Sequence, residues 1–251
     1  MELALFAVWC FLVALAGGLV GLVLGNLRLP ATVFVATSAA AGGGANLAIS
    51  AVAALTAAVV HIRAGRINWR LVGWMAPPSV VGAVAGGYLA GTLPETLLLL
   101  IITAVLVQAG IDLLRRPIKP KPAPVEGAGD GLDVRAAALS GLAIGVVGGV
   151  VGLILGSLRM PALLRWVGET PQRAVGTNVT VGVCVGVAGA LAHLPNAAPD
   201  LDVVLVGAAA SVPGALLGSR LTGRLSDRDL VRAIGVVLLV AAAGCLAQAV
   251  T

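Results

Sequence analysis

The sequence predicts an all-α, polytopic membrane protein built from two homologous repeats. Hydrophobic residues make up 59% of the 251 residues, and charged residues make up only 11%. A water-soluble domain carries about 25% charged residues, so this chain has too few charges to cover a soluble surface. The mean hydropathy of +1.05 supports the same conclusion, and an internal duplication indicates the two repeats.

The duplication is read directly from the chain. Residues 17–31 are GGLVGLVLGNLRLPA and residues 148–162 are GGVVGLILGSLRMPA, with 11 of 15 positions identical at a shift of 131. The match continues one residue out of step, where Gly44-Ala45-Asn46 aligns with Gly176-Thr177-Asn178. A duplicated hydrophobic unit of this size is typical of transporters, whose substrate site lies where the units meet.

Eight apolar segments are long enough to be membrane helices, since a helix needs about 20 apolar residues to cross the hydrocarbon core. They cover residues 3–25, 45–62, 72–92, 96–114, 136–157, 175–194, 202–222 and 230–249.

A change of composition separates the segments into two groups of about four. Residues 115–131 contain four prolines and four basic residues, which favours a semi-extended linker over a helix. We therefore predict a first repeat over residues 1–114, a linker over 115–135 and a second repeat over 136–251.

Each repeat is predicted to contain a broken helix. Pro30 and Pro161 follow glycine-rich runs, lack a backbone N–H and disfavour helix at the preceding residue. We expect a break before each proline, followed by a short second helical piece. Irregular backbone at membrane depth survives only where protein or water satisfies its polar groups. The broken helices should therefore mark a site at the repeat interface.

The basic residues predict the topology. Loops 63–70 and 220–232 are rich in arginine, whereas loops 92–95 and 194–202 contain neither Lys nor Arg. The bias is reversed between the repeats, which favours an inverted topology by the positive-inside rule. Four crossings in each repeat would instead make the repeats parallel. The basic linker is expected in the cytoplasm, and the net charge of +5 reflects topology rather than nucleic-acid binding.

Arg28 and Arg159 occupy the same position in both repeats, two residues before the prolines. Arginine near mid-membrane is expensive and usually functional. Gly25 and Gly156 belong to the glycine-rich breaks, where backbone N–H groups are exposed, and helix N-termini after the prolines would add positive dipole ends. Together these groups would bind a small oxyanion. The alternative is that both arginines extend to headgroups at the interface.

Other matched polar residues are candidates for the same site. Asn46 and Asn178 each open an apolar run, where they would cap a helix or donate to a substrate oxygen, and Thr177 adds a hydroxyl in the second repeat only. His61 and His193, the only histidines, end matched segments. They are candidates for relaying a coupling proton, or they are polar residues at the interface.

Carboxylates are scarce in the apolar segments. Asp112 is expected to pair with Arg115 or Arg116, and no other acid lies deep in a segment. Cation transporters usually need such acids, so an anionic or neutral substrate is favoured.

The sequence does not predict an enzyme. It contains no HExxH helix, GxSxG elbow, P-loop or paired carboxylates. The three cysteines lack metal-ligand spacing, so neither a metal nor a cofactor is predicted. The expected partners are a small anionic substrate and the lipid bilayer, with a homo-oligomer left open and nucleic acid excluded.

These motifs resemble the TauE/SafE-type sulfite exporter family of membrane transporters. Members have two homologous halves of about four hydrophobic segments, each beginning with a glycine-rich stretch that ends in proline and is followed by Gly-Thr-Ser or Gly-Thr-Asn. The best match is residues 168–178, GETPQRAVGTN, and His193 and the pair Gly214 and Gly218 also look like the family. Arg28 and Arg159 stand where apolar residues are common.

The resemblance implies a secondary transporter that moves a small anion across the plasma membrane in several passes. Sulfite, a sulfonate or another organic anion is the implied substrate, and two repeats would give alternating access around a midplane site. An anion channel or passive facilitator on the same scaffold is the first alternative. A membrane scaffold protein that transports nothing is the second.

Overall fold

The computed structural model describes residues 2–37, 39–88, 95–115, 133–151, 156–193 and 200–250, and all regular secondary structure in these residues is helical. Within these ranges the helices are α1 Glu2–Val20, α2 Gly25–Val35, α3 Ala39–Arg63, α4 Trp69–Tyr88, α5 Glu95–Arg115, α6 Val134–Val151, α7 Gly156–Pro161, α8 Pro171–His193, α9 Leu201–Thr222 and α10 Asp227–Val250. A π-helical turn, Ala162–Val167, continues α7. The predicted all-α class is confirmed. Most of the predicted linker, residues 116–132, lies outside the described residues.

Four helical stretches in the described chain are long and apolar enough to cross a membrane. They are Glu2–Val20, Gly44–Arg63, Leu201–Thr222 and Asp227–Ala249. Large apolar side chains also cover the outer surface, where Leu139 is 68% exposed and Leu205 is 68% exposed. An apolar surface of this kind requires lipid or a partner to cover it. The chain is therefore a membrane protein.

The first helix ends earlier than predicted. α1 ends at Val20, and Gly21 adopts a positive φ of 68°. The Leu22 N–H donates to the Gly17 carbonyl at 2.9 Å, which is the glycine-terminated geometry that commonly ends helices. A β-carbon at Gly21 would also overlap Val175 of α8. Glycine is therefore required here both by its backbone conformation and by the close approach of α8.

The chain breaks before Pro30 and continues in the short helix α2, as predicted, but Pro30 lies inside α2, so the break is farther ahead of the proline than expected. Both short helices begin five residues ahead of their prolines, and the helix N-termini precede the arginines rather than follow the prolines. Proline inside a helix leaves the carbonyl four residues earlier without its donor. The Gln248 side chain replaces that donor, since its Nε2 donates to the Asn26 carbonyl at 2.8 Å. The matched segment of the second repeat, residues 152–155, lies outside the described residues.

Glycine residues allow the closest helix contacts. α1 packs against α9, α4 against α6, and α5 against α10. A β-carbon added at Gly82 of α4 would overlap the Leu142 carbonyl of α6, and one at Gly218 of α9 would overlap the Leu15 carbonyl of α1. Helices whose backbones approach this closely need glycine at the contact.

The arginine-rich loop after α3 and the loop between α9 and α10 lie at one end of the molecule. Arg66, after α3, donates to the Ser219 carbonyl near the end of α9 at 3.3 Å, and it packs over Gly223. Leu114, near the end of α5, packs against Gly235 in the first half of α10. This end of the molecule therefore holds the ends of α3, α5 and α9 together with the start of α10.

Candidate functional site

Arg28 is held inside the protein by two residues of α3. It is 2% exposed. Its Nε donates to Oδ1 of Asn46 at 3.0 Å, and its Nη2 donates to the Asn46 carbonyl at 3.2 Å and to Ser50 Oγ. Asn46 and Ser50 share a helix face because they are four residues apart. Arg28 therefore does not extend to a headgroup at the surface.

Arg159 occupies the matched position in α7 and has fewer partners. It is 1% exposed, and its Nη1 donates to Oδ1 of Asn178 at 3.4 Å. Its Nε is buried without a hydrogen-bond partner among the described residues. Neither Arg28 nor Arg159 forms an ion pair with a carboxylate in the described part of the chain. Each buried guanidinium group is thus oriented by an asparagine without being neutralised.

Asn46 and Asn178 lie inside helices, so the prediction that they cap helix starts is wrong. α3 and α8 each begin seven residues before their asparagine. Their side chains instead bind the arginines, and the Asn178 side chain also binds two backbone carbonyl groups. Nδ2 of Asn178 donates to the Gly21 carbonyl at 2.7 Å and to the Gly156 carbonyl at 3.0 Å. Asn178 therefore joins the break after α1 to the start of α7.

Gly25 and Gly156 start α2 and α7 and lie directly against the two asparagines. A β-carbon at Gly25 would lie 3.2 Å from Nδ2 of Asn46, and one at Gly156 would lie 3.4 Å from Nδ2 of Asn178. Glycine lets each short helix approach the amide that binds its arginine. A direct contact of these glycines with substrate stays a prediction.

A small cavity lies beside Arg28. Its polar side chains are Arg28 and Ser50, and its apolar wall comes from α1, from the α1–α2 break and from α3, α8 and α9, with Leu24, Ala54 and Val179 as examples. It offers about 20 Å³ to the centre of a water molecule, which is enough for one water. A polyatomic anion needs more room, so binding here requires the helices to move apart.

Arg28 and Arg159 contact opposite halves of the α3–α8 helix pair. Gly176, near the start of α8, faces His61 at the end of α3, so these helices run antiparallel. At 1.5 Å per residue, Asn46 and Asn178 each lie about 10 Å from the start of their own helix. No contact within the described residues joins Arg28 to Arg159, and each arginine contacts the asparagine of its own repeat.

Sequence reasoning missed a polar contact beside Thr177. The Asn68 N–H donates to Thr177 Oγ1 at 3.0 Å, and Nδ2 of Asn68 donates to Oε2 of Glu169 at 2.6 Å. Both Asn68 and Glu169 are buried. At a shift of 132 their matched positions are Asp200 and Thr37, and Thr37 Oγ1 donates to Asp200 at 2.9 Å. The register of the repeat is the signal that would have found this contact.

His61 is completely buried near the end of α3, which places it away from an exposed interface. His193 is the last residue of α8, and its side chain lies outside the described part of the structure. A role for either histidine in coupling stays a prediction.

Asp112 has a partner that the sequence does not predict. Its Oδ2 lies 2.9 Å from Nε of Arg165, while the expected pairing with Arg115 or Arg116 stays a prediction, since Arg116 lies outside the described residues. The π-helical turn after α7 brings Arg165 to the end of α5, which the linear sequence does not reveal.

Comparison with known proteins identifies a family. The family model described as sulfite exporter TauE/SafE matches residues 6–245. This range includes both arginines, both asparagines and the two duplicated segments. No curated protein and no solved structure matches the chain.

Proposed function

Because the chain belongs to the sulfite exporter TauE/SafE family, a family of membrane transporters, we propose that it is a secondary transporter for a small anion. The substrate is sulfite, a sulfonate or another organic anion, moved across the plasma membrane by alternating access. The observation that carries the proposal is the pair of buried guanidinium groups, Arg28 and Arg159, which have no carboxylate partner among the described residues.

The chemistry of these arginines favours an anionic ligand. Burial of a charge is costly unless an opposite charge accompanies it. Asn46 and Asn178 are neutral, so they orient the guanidinium groups without cancelling the charge. The planar fork of donors matches the oxygens of sulfite, sulfonate or carboxylate. An anion would therefore supply both the missing charge and the missing acceptors.

We further propose that residues 1–114 and 136–251 form two inverted repeats. In the repeat alignment α1 to α5 correspond to α6 to α10, with α7 and its π-helical turn matching α2. The packing of α1 on α9 then corresponds to that of α6 on α4, while α3 and α5 pack on their own counterparts, α8 and α10. A pseudo-two-fold axis would exchange the α1–α9 contact with the α6–α4 contact and would map the α3–α8 and α5–α10 contacts onto themselves.

Two matched loop contacts provide a basis for alternating access. Thr37 and Asp200 lie just before α3 and α9, whereas Arg66 and Ser219 join the other ends of these helices. Asn68, which contacts Glu169, follows Arg66 by two residues. The contact between Asn68 and Glu169 therefore lies at the opposite end of the molecule from the contact between Thr37 and Asp200. Alternating access would open one of these loop contacts while the other stays formed.

The proposed orientation is tested by labelling. Because the basic end should face the cytoplasm, Ala64→Cys should react with a membrane-impermeant maleimide only after cells are permeabilised. Asp202→Cys, at the start of α9, should react in intact cells. Both residues are exposed, and the background carries serine at positions 10, 184 and 245. Labelling of Ala64→Cys from outside would contradict the orientation.

The function itself is tested in proteoliposomes. Reconstituted protein should give saturable uptake of radiolabelled sulfite, driven by an imposed anion or proton gradient. A large, non-saturating current would identify an anion channel or passive facilitator. If the reconstituted protein moves no small anion, the alternative of a membrane scaffold protein that transports nothing would be supported. His61 and His193 stay the candidates for proton coupling, and the dependence of uptake on the proton gradient decides whether such coupling exists.

A further inference from the structure

We propose that the two matched arginines have diverged, so that Arg159 forms the tighter anion site and Gly182 is the residue that makes it so. The inference rests on the proposed function, because it takes a small oxyanion as the ligand. It ranks two sites that the repeat alone would make equivalent.

Arg28 has its most useful donors occupied by the protein. Nε and Nη2 lie on the same edge of a guanidinium group and present the two parallel N–H bonds that a bidentate oxyanion accepts. In Arg28 this edge is filled by Asn46 and by the hydroxyl of Ser50. Only Nη1 has no hydrogen-bond partner among the described residues.

Arg159 has the same edge unpaired. Its single hydrogen bond in the described structure runs from Nη1 to Asn178 and is long, at 3.4 Å. Nε is buried without a partner there, and Nη2 has none among those residues either. Because the side chain is only 1% exposed, bulk water does not supply the acceptor that Nε lacks.

One sequence difference accompanies the contrast. In the register that aligns Asn46 with Asn178, Ser50 aligns with Gly182. Glycine has no hydroxyl, so α8 offers no side-chain acceptor one turn beyond its asparagine. A β-carbon at Gly182 would lie 3.1 Å from Cγ2 of Val23, so a small side chain fits if Val23 shifts by a few tenths of an ångström.

The free edge also predicts the ligand class. An anion with at least two oxygens on one atom, such as sulfite, a sulfonate or a carboxylate, accepts both N–H bonds of the Nε/Nη2 edge at once. Chloride accepts without that geometry. Arg159 should therefore prefer oxyanions to halides.

The test compares Gly182→Ser with Gly182→Ala. Serine should supply the acceptor that Ser50 supplies to Arg28 and weaken sulfite binding by about tenfold relative to alanine, which adds only the β-carbon. Gly73→Ser is the control, because a β-carbon at Gly73 meets no atom within 4 Å, and it should leave sulfite affinity within about threefold of the parent. Affinity is read from the sulfite concentration that gives half of the maximal thermal shift of the purified protein, with chloride as the probe that lacks bidentate geometry.

Equal affinities of the serine and alanine variants would overturn this inference alone, because sulfite would still bind. A parent protein that responds to no oxyanion would overturn the proposed function as well. If Gly182→Ser does not fold, Arg159→Lys and Arg28→Lys replace it, since lysine keeps the charge and loses the edge. Arg159→Lys should then weaken sulfite binding more than Arg28→Lys, and an equal loss would overturn the inference.

Discussion

Arg159→Gln should reduce sulfite uptake into proteoliposomes close to background at low sulfite concentration. The change removes the charge and the unpaired donors of a 1% exposed side chain. Loss of one desolvated, charge-assisted hydrogen bond costs about 1.5–3 kcal/mol, which corresponds to roughly 10- to 150-fold in affinity. Initial rates over a range of sulfite concentrations measure the effect.

Arg28→Gln is the matched comparison and should affect sulfite binding less. Its larger effect should be on stability, since Asn46 and Ser50 lose the donor that binds them, and a thermal melt without anion measures that loss. Because the two arginines contact different partners, the losses of affinity in the double variant should be close to additive. Unchanged affinity in a folded double variant would show that neither arginine contacts the substrate.

Gly82→Val should destabilise the protein more than any other single change considered. A β-carbon at Gly82 would overlap the Leu142 carbonyl, so α4 and α6 would have to separate. Overpacking a tight contact costs about 1–3 kcal/mol, and overlap with backbone, which cannot rotate away, should reach the upper end of that range or exceed it. The midpoint of thermal unfolding in detergent and the yield of monodisperse protein measure the loss.

Gly73→Val is the control in the same helix. A β-carbon at Gly73 meets no atom within 4 Å, so this variant carries the same change in helix propensity without the collision. It should stay close to the parent in stability. Equal destabilisation by the two variants would show that valine acts through helix propensity rather than through the contact between α4 and α6.

The sequence was sufficient to predict the helices because hydrophobicity is a local property. Each long helix follows an apolar segment read from the chain, and a helix is the structure that satisfies backbone groups in lipid without a partner. The duplication also identified Arg28, Arg159, Asn46 and Asn178 as matched positions. That inference needed only a shared register, and the structure places both pairs in contact.

The position of the helix break could not be read from the prolines. Pro30 is accommodated inside α2 because Gln248, 222 residues away in sequence from Asn26, supplies the donor that proline removes. The break lies instead where Gly21 passes against Val175 of α8. Both features depend on helices that are distant in sequence, so propensity alone misplaced the break.

By itself, the sequence determined that this is an all-helical membrane protein of the sulfite exporter TauE/SafE family, with two matched arginines as its most unusual residues. Only the tertiary structure decided that those arginines are buried and which of their donors are occupied. The difference arises because a hydrogen bond of a buried side chain depends on which helix face lies within about 3 Å of it. Ser50 reaches Arg28, whereas Gly182 offers no acceptor to Arg159, and this contrast acquires meaning only once α3 and α8 are in place beside the short helices.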